Sequence, residues 1–163
     1  MTQRVELATV MDRLAVDGIV TEYAAAVNEG DWDAYRRLFT EDGRADYRTA
    51  GGIEGTAAEV ARWLARSLER FELCQHLIVN RQVRIDLLDQ NPGDTAVLRA
   101  DYVTPMRLAG TREEEDTAPD LVCGGRSSFG LVRTEEGWRL RQVVVEELWR
   151  RSPEHRDAPT AAT

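Results

Sequence analysis

The residue best suited to acid/base chemistry is His76, which begins a long segment of β type. The sequence holds two histidines, and the other, His155, lies close to the C-terminal end. Alternate residues of a strand point to the same face, so Cys74, His76 and Ile78 share a face. His76 is therefore either a hydrogen-bonded core histidine or a general acid/base whose pKa is tuned by an apolar cavity.

Two other side chains leave alternatives open. Tyr23 lies on the apolar face of the first predicted helix, where it either packs in the core or takes part in catalysis. Arg126 adjoins two glycines on a strand that we expect to be largely buried. It either binds an anionic group or pairs with Glu146, and the residue types alone do not decide between these roles.

The composition excludes several classes of enzyme. All 21 basic residues are arginines, so there is no lysine for a Schiff base or a P-loop. Cys74 and Cys123 are far apart, and we expect buried thiols rather than a disulfide or a zinc site. A single histidine in the core region leaves no conventional metal site, and the sequence has no GxGxxG, Walker A, HExxH or GxSxG motif. We expect neither a metal nor another cofactor.

The net charge limits the partners that we expect, and the apolar runs and the length predict the compartment and the number of domains. A net charge of −8 argues against nucleic acid and against an anionic membrane surface. No apolar run is long enough for a transmembrane helix, and the first residues lack the apolar stretch of a signal peptide, so we expect a cytoplasmic protein. A chain of 163 residues predicts one domain, over 1–150, followed by a frayed tail at 151–163.

The first part of the chain has helical periodicity. Apolar residues recur every three or four positions over 6–28, with Gly18 as a candidate break. Asp31 is a natural N-cap for a second helix that carries Trp32, Tyr35, Leu38 and Phe39. Thr56 and Glu59 form a capping box before a third helix. The apolar stripe of that third helix contains Val60, Trp63, Leu64, Leu68 and Phe71.

After residue 72 the period changes to two. Strands are predicted at 74–88, 95–108, 121–133 and 138–149, with a short extra hairpin near 44–54. The acidic stretch between Gly110 and Pro119 is expected to be a solvated, mobile hairpin loop. Helices followed by strands indicate an α+β fold, a cone-shaped curved antiparallel sheet wrapped around the N-terminal helices. A small ligand would lie in the apolar interior of that cone.

Four segments, in this order, resemble the SnoaL-like branch of the nuclear transport factor 2-like superfamily, which includes scytalone dehydratase and ketosteroid isomerase. The stretch from Tyr23 to Gly43 is similar to the first two helices of that family. Ala45-Asp46-Tyr47-Arg48 resembles the dehydratase segment that bears a pocket tyrosine, and Gln75-His76 resembles its strand with the catalytic histidine. Gly137-Trp138-Arg139-Leu140 resembles the start of the last strand. The likeness covers about residues 10–150 and implies a cone-like α+β barrel with a hydrophobic pocket (cystatin-like topology).

The resemblance also implies roles for individual residues. His76 would move the proton and Tyr47 would donate its hydroxyl to a substrate oxygen. Asn28 stands where such dehydratases carry an aspartate, so it can orient the histidine but cannot raise its basicity. The second histidine of the dehydratase is absent, since Met106 or Thr104 falls near its place. The residues expected to bind the substrate are Tyr23, Trp63, Tyr102, Met106 and Arg126.

These roles imply a cofactor-independent enzyme for a hydrophobic small molecule. The expected reaction is elimination, isomerisation or cyclisation of a cyclic or polyketide-like metabolite by acid/base chemistry. The alternative is a non-catalytic ligand-binding or assembly module, similar to the small subunit of ring-hydroxylating dioxygenases. Asn28 favours the module, whereas His76 and Tyr47 favour the enzyme.

The last predicted strand points to a homodimer. In strict alternation, Val143, Val145 and Trp149 share one face, while Leu140, Val144 and Leu148 share the other. A strand that is apolar on both faces needs a cover on both.

Overall fold

The computed structural model describes residues 2–86, 90–110 and 117–152. Its helices come first, as the sequence predicts: α1 (Thr2–Glu29), α2 (Trp32–Arg37) and, after two short strands, α3 (Ala57–Leu68). The strands are β1 (Phe39–Asp46), β2 (Glu54–Thr56), β3 (Phe71–Cys74), β4 (Leu77–Asp86), β5 (Thr95–Leu108), β6 (Leu121–Thr134) and β7 (Gly137–Arg151). A 3-10 turn, Arg48–Ala50, lies between β1 and β2.

The strands form one strongly curled sheet, and the prediction of an α+β fold with a curved sheet around N-terminal helices is confirmed. The strand order is β2-β1-β7-β6-β5-β3, and β4 also pairs with β5. Strands β4 to β7 are the predicted antiparallel meander. β1 joins it by parallel pairing with β7, and β2 pairs antiparallel with β1 as the predicted hairpin.

The helices differ from the prediction in three places. Phe71, predicted on the apolar stripe of the third helix, begins β3, because α3 ends at Leu68. α1 runs through Gly18 without a break, because one unstrained glycine in a long helix costs only about 1 kcal/mol. α2 ends at Arg37, and Phe39 belongs to β1, where it pairs with Leu140 of β7. The capping box of α3 is present as predicted, with Thr56 and Glu59 bonding each other's backbone N–H.

The predicted strand over 74–88 is instead two strands separated by Gln75 and His76. At the break, Gln75 N–H donates to Pro105 O (3.1 Å), while the side chain of Asn28 on α1 bonds the peptide groups of His76. Side-chain capture of these main-chain groups replaces the strand ladder. His76 is thereby held in the break between two strands instead of in a regular strand.

Two irregularities in β7 change which residues share a face. The register with β6 shifts between Gly130 and Leu131 and again between Gly124 and Gly125. Because the first shift adds a residue to β7, Leu140 is buried on the same side as Val143 and Val145. The expected division of this strand into two apolar faces is therefore wrong.

A buried ion pair holds α1 against the sheet. Arg133 Nη1 and Nη2 donate to the two carboxylate oxygens of Asp12 at 2.9 and 2.8 Å, and Trp138 Nε1 donates to the same carboxylate at 3.1 Å. The Arg133 guanidinium lies 4.7 Å from the centre of the Trp138 ring and also bonds Asp94. These bonds fix the side of the helix that faces the core.

Parts of three predictions lie outside the described residues: positions 87–88 of the strand predicted at 74–88, the acidic loop at 111–116 and the tail at 153–163. β7 continues to Arg151, into the start of the expected tail. Within the residues that the structure describes, no helix is both long and apolar enough to cross a membrane.

Candidate functional site

A cavity of about 200 Å³ opens between α3 and the concave face of the sheet. This volume lies below the roughly 300–1,000 Å³ usual for drug-sized ligands, so it suits a small compound of one or two rings. Its apolar lining includes Trp63, Leu64, Leu68, Phe71, Met106 and Val145. Its polar lining includes Tyr47, His76, Tyr102, Thr104, Cys123, Glu147 and Arg150.

His76 lines this cavity in an environment that favours its neutral form. Burial lowers the pKa of its imidazole to about 4. Its Nδ1 lies 3.7 Å from Cys74 Sγ, and burial raises the pKa of that thiol to about 11, so the neighbour carries no charge at neutral pH. With Nδ1 next to the thiol, Nε2 is the nitrogen left for a substrate.

Asn28 holds the backbone of His76. Its Oδ1 accepts from His76 N–H at 2.7 Å, and its Nδ2 donates to His76 O at 3.4 Å. The side chain thus holds the main chain of His76 in the break between β3 and β4, whereas the sequence suggested that it orients the ring itself. The Asn28 amide can therefore hold the backbone of His76 without adding a negative charge near the imidazole.

Tyr47 and Tyr23 form a pair at the inner end of the cavity. Their hydroxyl oxygens are in direct hydrogen-bond contact, and both residues are nearly fully buried. The Tyr47 ring also packs on Trp63, with 5.6 Å between ring centres. Burial raises the pKa of the Tyr47 hydroxyl, so the group stays protonated and can donate a hydrogen bond.

The other expected binding residues divide into two groups. Trp63, Tyr102 and Met106 line the cavity, and Tyr23 lies behind Tyr47. Arg126 does not reach it: its side chain is 69% exposed on the opposite face of the sheet, 3.8 Å from Asp101. The expectation that Arg126 lines the substrate pocket is therefore wrong, because Arg126 alternates with the inward-facing Ser127.

Residues 8–144 match the SnoaL-like domain family, a span that includes Asn28, Tyr47 and His76. The chain belongs to the SnoaL-like family. An uncharacterized protein of Mycobacterium tuberculosis is 34% identical over 145 residues, which cover 89% of this chain and 91% of that protein.

Solved structures show the same fold at low sequence identity. An NTF2-like protein with a cystatin-like fold from Novosphingobium aromaticivorans has a TM-score of 0.67 and 22% identity, covering 90% of this chain and 88% of its own. A second protein of that organism, whose proposed identity is a scytalone dehydratase, has a TM-score of 0.67 and 17% identity, covering 100% and 99%. The resemblance found in the sequence is confirmed at the level of family and fold.

Cys123, Glu147 and Arg150 are among the residues of this SnoaL-like cavity that the sequence did not single out as site residues. Cys123 was expected only as a buried thiol. Glu147 lies between the two irregularities of β7, and Arg150 follows both. Arg150 Nε and Nη2 donate to the Glu147 carboxylate at 2.7 Å each, an ion pair in the cavity wall. Alternation from Val143 and Val145 already places Glu147 on the inward face, so the sequence carried a signal for it, whereas Arg150 follows the second register shift. Within the described residues, no group of His, Cys, Asp and Glu side chains is arranged to hold a metal ion.

Proposed function

We propose that this protein is a cofactor-independent enzyme in which His76 removes a proton from a small cyclic substrate. The observation that carries the proposal is a neutral imidazole in an apolar cavity, with a pKa near 4. Elimination, isomerisation and cyclisation can all begin with such a proton transfer. The membership in the SnoaL-like family supports this class of reaction.

The low pKa of His76 limits the substrates on which it can act. A weak base removes only an already acidic proton, such as one on the carbon next to a carbonyl. The C–H bond breaks, the proton moves to Nε2, and the electron pair passes to the carbonyl oxygen. The imidazolium can then return the proton to another carbon or to a leaving group.

Tyr47 is the residue suited to stabilise the oxygen that gains this charge. Its protonated hydroxyl lines the same cavity, and Tyr23 is placed to share a hydrogen bond with it from behind. A donor that is fixed before the reaction stabilises developing charge more effectively than mobile water. In this arrangement Tyr23 and Asn28 are positioning residues.

Proton exchange on a probe ketone tests the proposal without a known substrate. In D₂O, the wild type should accelerate deuterium incorporation into 2-tetralone at the carbon next to its carbonyl, followed by NMR. We expect His76→Gln to slow the protein-dependent exchange at least about 100-fold, the usual contribution of a general base. His155→Gln makes the same chemical change at the other histidine and should leave the rate unchanged.

The second candidate, a ligand-binding module, is favoured by Asn28. Its amide is engaged with the main chain of His76, and among the described residues no carboxylate bonds the imidazole. Native mass spectrometry of freshly purified protein separates the two functions. A co-purified ligand that is lost in His76→Gln, without exchange activity in the wild type, would favour the module.

A further inference from the structure

Two residues of the cavity wall carry buried hydroxyl groups that lack hydrogen-bond partners. Among the described residues, the buried side-chain oxygens without a partner are Tyr35 Oη, Tyr102 Oη and Thr104 Oγ1. Tyr102 and Thr104 both line the cavity, and their residues are only 6% and 2% exposed. Buried polar groups are nearly always paired in native proteins, so two of them along one cavity wall require a reason.

The two groups are arranged in a row. Both belong to β5 and are two residues apart, so they lie on the same face of the sheet with their Cα atoms about 7 Å apart. The strand fixes this spacing, since both residues are paired in the sheet: Tyr102 with Ile78 and Gly125, and Thr104 with Cys123.

The polar groups nearby already have partners. The Glu147 carboxylate is held by Arg150 through two hydrogen bonds of 2.7 Å, and Cys123 Sγ donates to Thr104 O at 3.9 Å. The opposite wall is formed by α3, where Trp63, Leu64 and Leu68 supply apolar surface. The cavity therefore has two unpartnered hydroxyl groups on its β5 side and apolar side chains of α3 opposite them.

We propose that Tyr102 and Thr104 recognise two oxygen functions on one edge of the substrate. The chemical class is a small cyclic compound with two hydroxyl or carbonyl groups on one side of an otherwise apolar ring system. This proposal rests on the proposed function, because it names the substrate class of the same cavity. Tyr102 and Thr104 would select the substrate, while His76 carries out the proton transfer.

Three probes with one carbon skeleton test the proposal by titration calorimetry: naphthalene, 1-naphthol and 1,3-dihydroxynaphthalene. In the wild type, each added oxygen should tighten binding by roughly 3- to 10-fold, the usual net value of a hydrogen bond. Tyr102→Phe and Thr104→Val should each remove one of the two gains and leave naphthalene unaffected. Tyr35→Phe also removes an unpartnered buried hydroxyl, but outside the cavity lining, and should leave all three affinities unchanged.

Thermal unfolding without ligand is a second measurement. It distinguishes recognition of the substrate by the two hydroxyl groups from a structural role of the same groups. Removing an unpartnered buried hydroxyl should raise the Tm of Thr104→Val by about 2–4 °C. If the hydroxyl instead supports the fold or holds a resident water, the Tm should fall. A lowered Tm in both variants, equal affinities for the three probes, or gains that survive both substitutions would overturn the proposal.

The two proposals can fail separately. His76→Gln should keep the gain for each oxygen, since it changes the base and not the two hydroxyl groups. Gains without proton exchange in the wild type would contradict the enzyme and support the recognition of oxygen functions. Exchange without gains would contradict only the recognition by Tyr102 and Thr104.

Discussion

At the scale of single residues, the site depends on how His76 is kept neutral. Burial alone lowers its pKa to about 4, and the side chains that contact it, Cys74 and Asn28, bring no charge. The sequence identified His76, Tyr47 and Asn28 through their resemblance to family motifs. It could not predict that Asn28 bonds the backbone of His76, because that contact depends on the break between β3 and β4 at Gln75 and His76.

A carboxylate at position 28 should make the imidazole a stronger base. We expect Asn28→Asp to raise the pKa of His76 by about 1 unit or more, because a nearby negative charge stabilises the imidazolium. The acidic limb of the exchange rate against pH should therefore move upward. Asn28→Ala is the control: it removes the two bonds to His76 and should lower the rate without an upward shift. An unchanged midpoint in Asn28→Asp would contradict the electrostatic explanation.

At the scale of elements, the ion pair of Asp12 and Arg133 links α1 to the sheet. Both side chains are mostly buried, and the Arg133 guanidinium holds the pKa of the Asp12 carboxyl below its usual value. The periodicity of α1 predicted its helical structure, but pairing over 121 positions has no signature in the sequence. Such long-range contacts are the part of the fold that the sequence alone did not reveal.

Removing Asp12 should be far more costly than removing a neighbouring surface carboxylate. Asp12→Ala leaves Arg133 short of a buried partner, and we expect a loss of about 3–5 kcal/mol in the free energy of unfolding. Asp17→Ala, five positions along the same helix, breaks a more exposed pair with Arg81 and should cost about 1 kcal/mol or less. Urea unfolding of both variants measures the difference. Similar losses would show that the Asp12 pair does not anchor the helix.

The irregular pairing of β6 with β7 requires a glycine at position 125. A Cβ there would clash with Glu146 O, so we expect Gly125→Ala to destabilise the protein by at least about 1–3 kcal/mol. Gly130→Ala on the same strand places its Cβ at an ordinary 3.7 Å from Gln142 and should change stability little. Thermal unfolding of the two variants checks this contrast. A tolerated Gly125→Ala would mean that the strands do not approach this closely.

At the scale of the whole molecule, the outer face of the sheet has an apolar row. Leu77, Val103, Gly124 and Trp149 are successive partners across β4, β5, β6 and β7, and Leu77 and Trp149 are 42% and 48% exposed. We propose that a second copy of the chain covers this face. This apolar row replaces the sequence-based reason for a dimer. That reason was a β7 strand with two apolar faces, which the structure does not have.

Light scattering should give a mass of twice 18.4 kDa for the wild type at micromolar concentration. Trp149→Glu places a charge in the apolar row and should give the monomer mass. Leu14→Glu is the matched control, because Leu14 is an exposed leucine of α1, away from this face. A monodisperse wild-type monomer, or dissociation by Leu14→Glu instead, would refute the proposed interface.

The sequence predicted the order of helices and strands better than the closure of the sheet. The meander from β4 to β7 follows from alternating residues and turn signals such as Asn91-Pro92-Gly93. The parallel pairing of β1 with β7 was not predicted, because it joins distant segments without a turn between them. The curvature of the sheet predicted a cavity. That the hydroxyl groups of Tyr102 and Thr104 lack partners could not be predicted, because it depends on the packing around them.

The pH dependence of proton exchange tests the central claim most directly. The rate of deuterium incorporation into 2-tetralone, measured from pH 3 to 8 for the wild type and His76→Gln, isolates the part that depends on His76. Because only the neutral imidazole accepts a proton, this part should reach half its maximum near pH 4 and stay constant above about pH 5. A half-maximum near 6.5, the ordinary pKa of histidine, or equal rates in the two proteins would contradict the account.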